Sequence, residues 1–358
     1  MPRKNPPTGT DADLNALTMQ PLFADEDKAR EFLESKRWPN GPVCPHCTST
    51  EVYRLTAKPG SKSPVRPGVL KCKRCRKQFT VRVGSIFEDS KLPLRHWLYA
   101  IHLMTSSKKG VSSHQIAREL GITVKSAWFV THRIREAMKL EPMAGMLKGE
   151  IEADETWVGA RKRRYPGAGE GKNTTKKAVA LLVERGGRAH AMPVDDVTTK
   201  TLREELFHLA DRDSTLFTDE LPVYVRLGRE FRGGHHRSLH KHREYVRRTP
   251  NGETLVTTNT AESWFSLLKR AHVGTFHQLS KKHLHRYTTE FSFRWNHRGE
   301  RRRADGCRDQ GRGVAAPDVS RASAEARKPA TIVGRRALIS ALFCWHSPRL
   351  PLPRHTTI

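Results

Sequence analysis

The chain has 358 residues and a mass of 40.7 kDa, room for two or three domains, and its 65 Lys and Arg against 37 Asp and Glu leave a formal net charge of +28. That charge excludes an ordinary metabolic enzyme and points to nucleic acid, because cations set against phosphates release condensed counterions. Apolar residues make up 36%, no stretch approaches the ~18 apolar residues of a membrane span, and the basic opening Met1-Pro2-Arg3-Lys4 lacks the apolar run of a secretory signal, so a membrane is excluded and a cytoplasmic protein is expected.

Residues 1–20 carry Pro, Thr, Asp and Asn without periodicity and are expected to be disordered. Over 21–36, Leu22, Phe23, Ala29, Phe32 and Leu33 have helical spacing, stopped by Trp38-Pro39-Asn40-Gly41-Pro42. Next come Cys44-Pro45-His46-Cys47, 24 further residues, and Cys72-Lys73-Arg74-Cys75. Six cysteines are too few for a disulfide scaffold in a chain this long, and the tight pairing suggests metal. Two such knuckles can present four thiolates tetrahedrally to one Zn2+, with short β-hairpins at 69–71 and 78–83; a closed sulfur shell leaves no open position, so the metal is structural. Residues 21–90 are therefore expected to form a zinc ribbon with a leading helix, held by Cys44, Cys47, Cys72 and Cys75 and folding as the metal binds.

Over 91–145 the pattern is helical. Trp97, Leu98, Ile101 and Met104 mark a first helix; Ser112 opens a second, stopped by Gly121; and Thr123 caps a third over 124–138. The last two have the layout of a helix-turn-helix, whose second helix would carry Lys125, Ser126, Trp128, His132 and Arg133 towards DNA. A helical hairpin that only packs would show the same spacing.

From Gly149 the pattern turns to strands at 150–158, 177–184 and 188–194, a helix over 199–209, a strand at 214–218, a helix after Asp219, and a helix over 260–270. This order is α/β and matches a ribonuclease-H-like domain over 146–298. Alternation puts Glu150, Glu152 and Asp154 on one face of the first strand, as plain surface alternation also would. Asp219 ends an apolar strand, a usual place for an active-site group in an open α/β sheet. Glu262 and Lys269 are two helical turns apart and share a face. Two aspartates and a glutamate so placed can hold two divalent ions ~3.5–4 Å apart, one activating a nucleophilic oxygen and one stabilising the leaving oxygen of a phosphodiester, with Lys269 and Arg270 gripping DNA.

At these residues the sequence resembles the DDE-type insertion-sequence transposases of bacteria, in the subfamily with an N-terminal zinc ribbon and an ISXO2-like transposase domain. The similarity includes Arg37-Trp38-Pro39 ahead of the first knuckle, Phe79-Thr80-Val81-Arg82-Val83-Gly84-Ser85-Ile86-Phe87, Ala127-Trp128-Phe129, Asp154-Glu155-Thr156, and the runs from Asn259 to Lys269 and from Gly274 to Arg294. Carried over, the resemblance implies the three acids at Asp154, Asp219 and Glu262 and the following lysine at Lys269; some relatives carry Asn at the third position. It implies catalytic Mg2+ or Mn2+, structural Zn2+, and binding of double-stranded DNA at terminal inverted repeats. Cleavage there and joining of the freed 3′-hydroxyl to target DNA would follow, performed by a homo-oligomer on paired ends, cytoplasmic and nucleoid-associated.

The resemblance stops after Asn296-His297-Arg298. Residues 299–358 hold 12 Lys and Arg against 5 Asp and Glu, and are expected to be a basic tail of low order or a terminus altered by a frameshift. His235, His236, His240 and His242 lie in a basic stretch, where DNA contact or solvent exposure is expected over a metal tract; Cys307 and Cys344 have no evident partners. Two other readings compete with a transposase: a catalytically inactive, transposase-derived DNA-binding protein, and a repair nuclease with the same metal site.

Overall fold

A computed structural model describes residues 16–56, 65–139, 145–159, 176–238, 247–248 and 255–298. His240, His242, Cys307, Cys344 and the whole of 299–358 lie outside these residues. The described chain forms two compact units, one drawn from 16–106 and 128–137 and the other from 107–127 and 138–298.

In the first unit, α1 (Ala16–Ala24) and α2 (Glu26–Arg37) replace the single helix expected over 21–36. The break is at Asp25, whose backbone is extended (φ −118°, ψ 123°) and whose carboxylate accepts from the N–H groups of Asp27 and Lys28, starting a new helix. The expectation of disorder to residue 20 is corrected here: 16–20 are helical and Met19 is buried. The ribbon sheet follows, β1 (Val52–Arg54), β2 (Leu70–Cys72) and β3 (Gln78–Phe79), antiparallel in the order β1-β2-β3. The strand expected to reach Val83 ends at Phe79, because Thr80 to Val83 close a turn (Val83 N–H to Thr80 C=O, 3.2 Å). Helix α3 (Leu94–Ser106) buries Trp97, Leu98, Ile101 and Met104, and its first turn is capped by Glu26, which accepts from the N–H groups of Leu94 (2.8 Å) and Arg95 (3.1 Å).

Next come α4 (Ser113–Leu120) and α5 (Val124–Ala137). Ser112 caps α4 by accepting from Gln115 N–H, Gly121 ends it in the left-handed region (φ 63°), and Thr123 Oγ1 accepts from Ser126 N–H (3.2 Å) at the start of α5.

The second unit is built on β4 (Glu150–Val158), β5 (Lys177–Glu184), β6 (Ala189–Val194), β7 (Thr215–Thr218) and β8 (His235–Arg237), in the order β6-β5-β4-β7-β8. β4, β5 and β6 pair antiparallel, whereas β7 and β8 run parallel to β4, which is the ribonuclease-H-like arrangement. Period-two alternation divides β4 between two cores. Ile151 and Ala153 face α6 (Thr199–Leu209) and α7 (Pro222–Gly228), while Val158 belongs to the core under α8 (Asn259–Ala271) and α9 (Leu284–Asn296). The edge strand β8 and helix α9 extend the elements expected from sequence. At the β8 edge a Cβ on Gly233 would meet the backbone of Ser214 at 2.6 Å, so only glycine lets that connection pass.

Candidate active site and zinc centre

The four cysteines come together as the spacing required. Cys44 Sγ lies 3.6 Å from Cys75 Sγ, Cys47 Sγ lies 3.6 Å from Cys72 Sγ, and all four sulfurs are within 4.8 Å of one another. A tetrahedron of Zn–S bonds of ~2.3 Å has edges of ~3.8 Å, so the donor set fits one Zn2+. The backbone N–H of Cys75 donates to Cys72 Sγ (3.5 Å) and draws that thiol down to about 7, towards the thiolate a metal needs. Trp38, Val52, Leu70, Phe79 and Val83 enclose the knuckles.

In the second unit the parallel register sets the acidic site. Ala153 pairs with Thr218, so Asp219, the first residue past the carboxyl end of β7, stands level with Asp154 in the middle of β4. Asp154, Glu155 and Asp219 bring carboxylate oxygens within 4.8 Å of one another. Burial pushes the Asp154 carboxyl up to about 7; the charges of Glu155, Asp219 and Glu262 add to this, and the Glu155 N–H donating to Asp154 Oδ1 (2.8 Å) opposes it. Glu155 is also raised, by burial first and by Asp219, while the hydroxyl of Tyr224 donating to its Oε2 (2.8 Å) works against the rise. Asp219 is braced by the Leu221 N–H on its Oδ1 (3.0 Å). Hard oxygen donors crowded together at the cost of mutual repulsion fit a divalent cation.

The carboxylates expected on one face divide by role. Glu152 is fully buried, accepting from Arg185 Nε (2.8 Å), Thr260 Oγ1 (3.0 Å) and Ala261 N–H (3.0 Å), and so ties β4 to the first turn of α8. Glu150 accepts from the same guanidinium (3.1 Å), and Arg185 also lies over the Phe217 ring at 3.8 Å. Only Asp154 of the three enters the acidic cluster. Glu262 lies in the first turn of α8, exposed and close enough to raise Asp154, but outside that cluster. Lys269 is exposed two turns further along, its Nζ 6.0 Å from the centre of the Phe265 ring, and Arg270 is held on Ser266.

Along α5, Lys125 is exposed, Ser126 is half-buried in its bond with Thr123, and Trp128 is 41% exposed. His132 and Arg133 do not face outward as expected. His132 is buried with its ring 4.1 Å from that of Trp128, and Arg133 donates to the carbonyls of Ile86 (2.8 Å) and Glu88 (2.5 Å). The second half of α5 is enclosed on nearly every side, Val130, Thr131, Ile134, Arg135 and Ala137 included, so helical spacing from Lys125 could not tell which positions stay at the surface. His235 and His236 also depart from an exposed loop: His235 shares a hydrogen bond with Thr218 Oγ1 (2.9 Å), and His236 stacks on Phe217.

Glu155, Tyr224 and Arg185 were not singled out as site residues in the sequence. Glu155 had one signal, its place beside Asp154; Tyr224 and Arg185 had none, because their roles arise from packing.

Comparison with known proteins agrees with this construction. Residues 24–78 match the transposase zinc-ribbon domain and residues 146–296 match the ISXO2-like transposase domain, together more than half of the chain. A protein of the transposable element ISH50 from Halobacterium salinarum is 29% identical over 291 residues, covering 77% of this chain and 93% of that protein. Solved structures with similarity include a pre-cleavage Mos1 transpososome (11% identity, 60% of this chain and 79% of that one, TM-score 0.24) and the Mos1 strand transfer complex (12%, 59% and 75%, TM-score 0.26). With these two matches, the ribonuclease-H-like domain and the four-cysteine ribbon that precedes it in the chain fall in the class of DDE-type transposases. More narrowly, the chain belongs to the family with an ISXO2-like transposase domain and an N-terminal transposase zinc ribbon. Among the described residues, no helix is long and apolar enough to cross a membrane.

Proposed function

We propose that the protein is a metal-dependent DNA transposase that recognises the terminal inverted repeats of an insertion element, cleaves at their ends and joins the freed 3′-hydroxyl to target DNA. The observation that carries this reading is the meeting of Asp154, midway along β4, with Asp219, just past the carboxyl end of the parallel strand β7, in a chain of net charge +28. Asp154 and Asp219, with Glu262 at the third family position, would hold Mg2+ or Mn2+, which when bound activates the attacking oxygen and stabilises the leaving one.

The chain's own residues supply the rest. Glu152 and Arg185 fix the start of α8 against β4, so that Glu262 keeps a set distance from Asp154. Lys269, ~10 Å along the helix from Glu262, offers a cation to a neighbouring DNA phosphate, with Arg270 beside it. Water attacks the scissile phosphorus and the bond to the 3′ oxygen breaks, leaving a 3′-hydroxyl and a 5′-phosphate; the 3′-hydroxyl then attacks a target phosphorus, whose bond to the target strand's own 3′ oxygen breaks, without a covalent enzyme intermediate. DNA recognition falls to residues 21–145, the zinc ribbon followed by a helix-turn-helix whose Lys125, Ser126 and Trp128 lie in the first half of α5. Both element ends would be engaged by paired copies of the chain.

The test is cleavage of a labelled duplex carrying the element's own terminal repeat, with Mg2+, by the full chain and by its Asp154→Ala and Asp219→Ala variants. Nicking at the repeat end, lost in both variants and absent on a scrambled repeat, is the expected result. Binding without nicking in all three proteins would identify a DNA-binding relic, and nicking indifferent to the repeat would identify a general nuclease.

A further inference from the structure

We infer that Glu155 is a ligand of the divalent-cation site and that Tyr224 is the positioning residue that aims it; this rests on the metal-dependent reading above. Successive residues of a strand point to opposite faces, so Asp154 and Glu155 should be kept apart by the sheet. They are not, because the sheet ends beside them: β7 stops at Thr218, opposite Ala153, and Asp219 already belongs to the turn into α7. Past that point, among the described residues, no strand covers the β7 side of β4. Asp154 from the α8 face and Glu155 from the α7 face converge around the open edge on Asp219.

The α7 face holds Glu155 there. Tyr224 is 1% exposed, packed in the core with Leu227 and Phe231, and its hydroxyl donates to Glu155 Oε2 at 2.8 Å. A buried phenol has little freedom, so this bond sets the carboxylate's direction. One donated hydrogen bond uses one of about four acceptor directions on a carboxylate and leaves the others for a cation. Burying an acid among two others is otherwise unfavourable, whereas a cation turns the same crowding into attraction. The cation is thus gathered first by Asp154, Glu155 and Asp219, with Glu262 approaching from α8 outside this cluster.

The test uses the full, zinc-loaded chain without DNA and titrates Mn2+ alone, with free Mn2+ followed by electron paramagnetic resonance. The variants are Glu155→Gln, Tyr224→Phe, Glu262→Gln and Asp154→Asn, each checked for a wild-type far-ultraviolet circular dichroism spectrum and cooperative unfolding of the zinc-loaded chain. Glu155→Gln keeps the shape and an oxygen to accept from Tyr224, so a merely structural role would survive it. It is expected to weaken Mn2+ binding more than about tenfold, and Tyr224→Phe about tenfold, as loss of an orienting partner does. The double variant should bind no more weakly than Glu155→Gln alone. Wild-type Mn2+ affinity in Glu155→Gln, with binding lost in Asp154→Asn, would overturn the assignment and leave the metal-dependent reading standing. Mn2+ binding unaffected by every variant, Asp154→Asn included, would remove that reading as well.

Discussion

Glu152 makes a sharp prediction, because its carboxylate is enclosed and three donors depend on it. Glu152→Ala leaves the Arg185 guanidinium, only 17% exposed, with Glu150 and the Thr257 carbonyl as partners, and takes the acceptor from the buried N–H of Ala261. Breaking one side of a buried ion pair costs ~3–5 kcal/mol, and because Arg185 keeps Glu150 the loss here is expected at the lower end, ~3 kcal/mol. Glu152→Gln keeps the shape and one oxygen but sets an amide N–H2 against a donor, which costs ~1–3 kcal/mol. Urea unfolding of the zinc-loaded chain should therefore rank wild type, Gln and Ala in falling order. Hydrogen exchange across α8 should rise about a hundredfold or more in the alanine variant, because the lost bonds anchor its first turn. Arg185→Met in the Glu152→Ala background should recover part of the loss by removing a cation that has lost its buried carboxylate. A cost below ~1 kcal/mol for Glu152→Ala, with α8 exchange unchanged, would refute the clamp and with it the claim that Glu262 is held in place through β4.

Three further predictions follow from the same geometry. Cys72→Ser should abolish the one equivalent of bound zinc read with a chromophoric chelator and unfold the ribbon, because structural zinc contributes ~10–16 kcal/mol to such small modules, whereas His46→Ala, at an exposed knuckle position, should keep its zinc. The Asp154 carboxyl is held at about 7 against 3.8 unperturbed, so its ionisation disfavours the metal-free fold increasingly as pH rises through that range; Asp154→Asn should melt higher than wild type at pH 8, and Mg2+ should raise the wild-type melting temperature but not the variant's. His235 is lowered from 6.5 to about 4 by burial, with Arg237 and His236 adding, so its contribution is full above pH 6.5 and lost as pH falls towards 4; His235→Gln should flatten the melting profile across that window, and an unchanged slope would contradict it.

Much of the fold could be read from patterns that depend on local periodicity. β4, β5 and α6 begin and end where alternation, apolar runs and helical spacing placed them, since each has a face buried along its whole length. The failures have a different origin. The split between α1 and α2 turns on one aspartate forming a cap, an event that apolar spacing does not register. β8 is three residues of histidine and arginine, with no hydrophobic signature, and becomes a strand because β7 offers a parallel edge beside Phe217. His132 and Arg133 were misplaced because a helix that dives inward changes its exposed face along its length, while sequence spacing assumes one environment throughout.

The site shows the same division between local and non-local causes. Four cysteines in two knuckles constrain each other so tightly that their spacing almost amounts to a structure. The carboxylates carry no such constraint: the alternation that grouped Glu150, Glu152 and Asp154 correctly put them on one face, yet it could not distinguish an acid that meets an arginine from one that meets other acids. That distinction is made by chain distant in sequence, Arg185 arriving from the β5–β6 turn and Asp219 from the end of β7. Glu155 is the extreme case, because alternation argues against it and only the end of the neighbouring strand brings it round. An acid one residue out of phase can join a metal site where pairing stops, so in sheets of this topology the position after the expected aspartate should be mutated alongside it, at the register set by the last pair, Ala153 with Thr218.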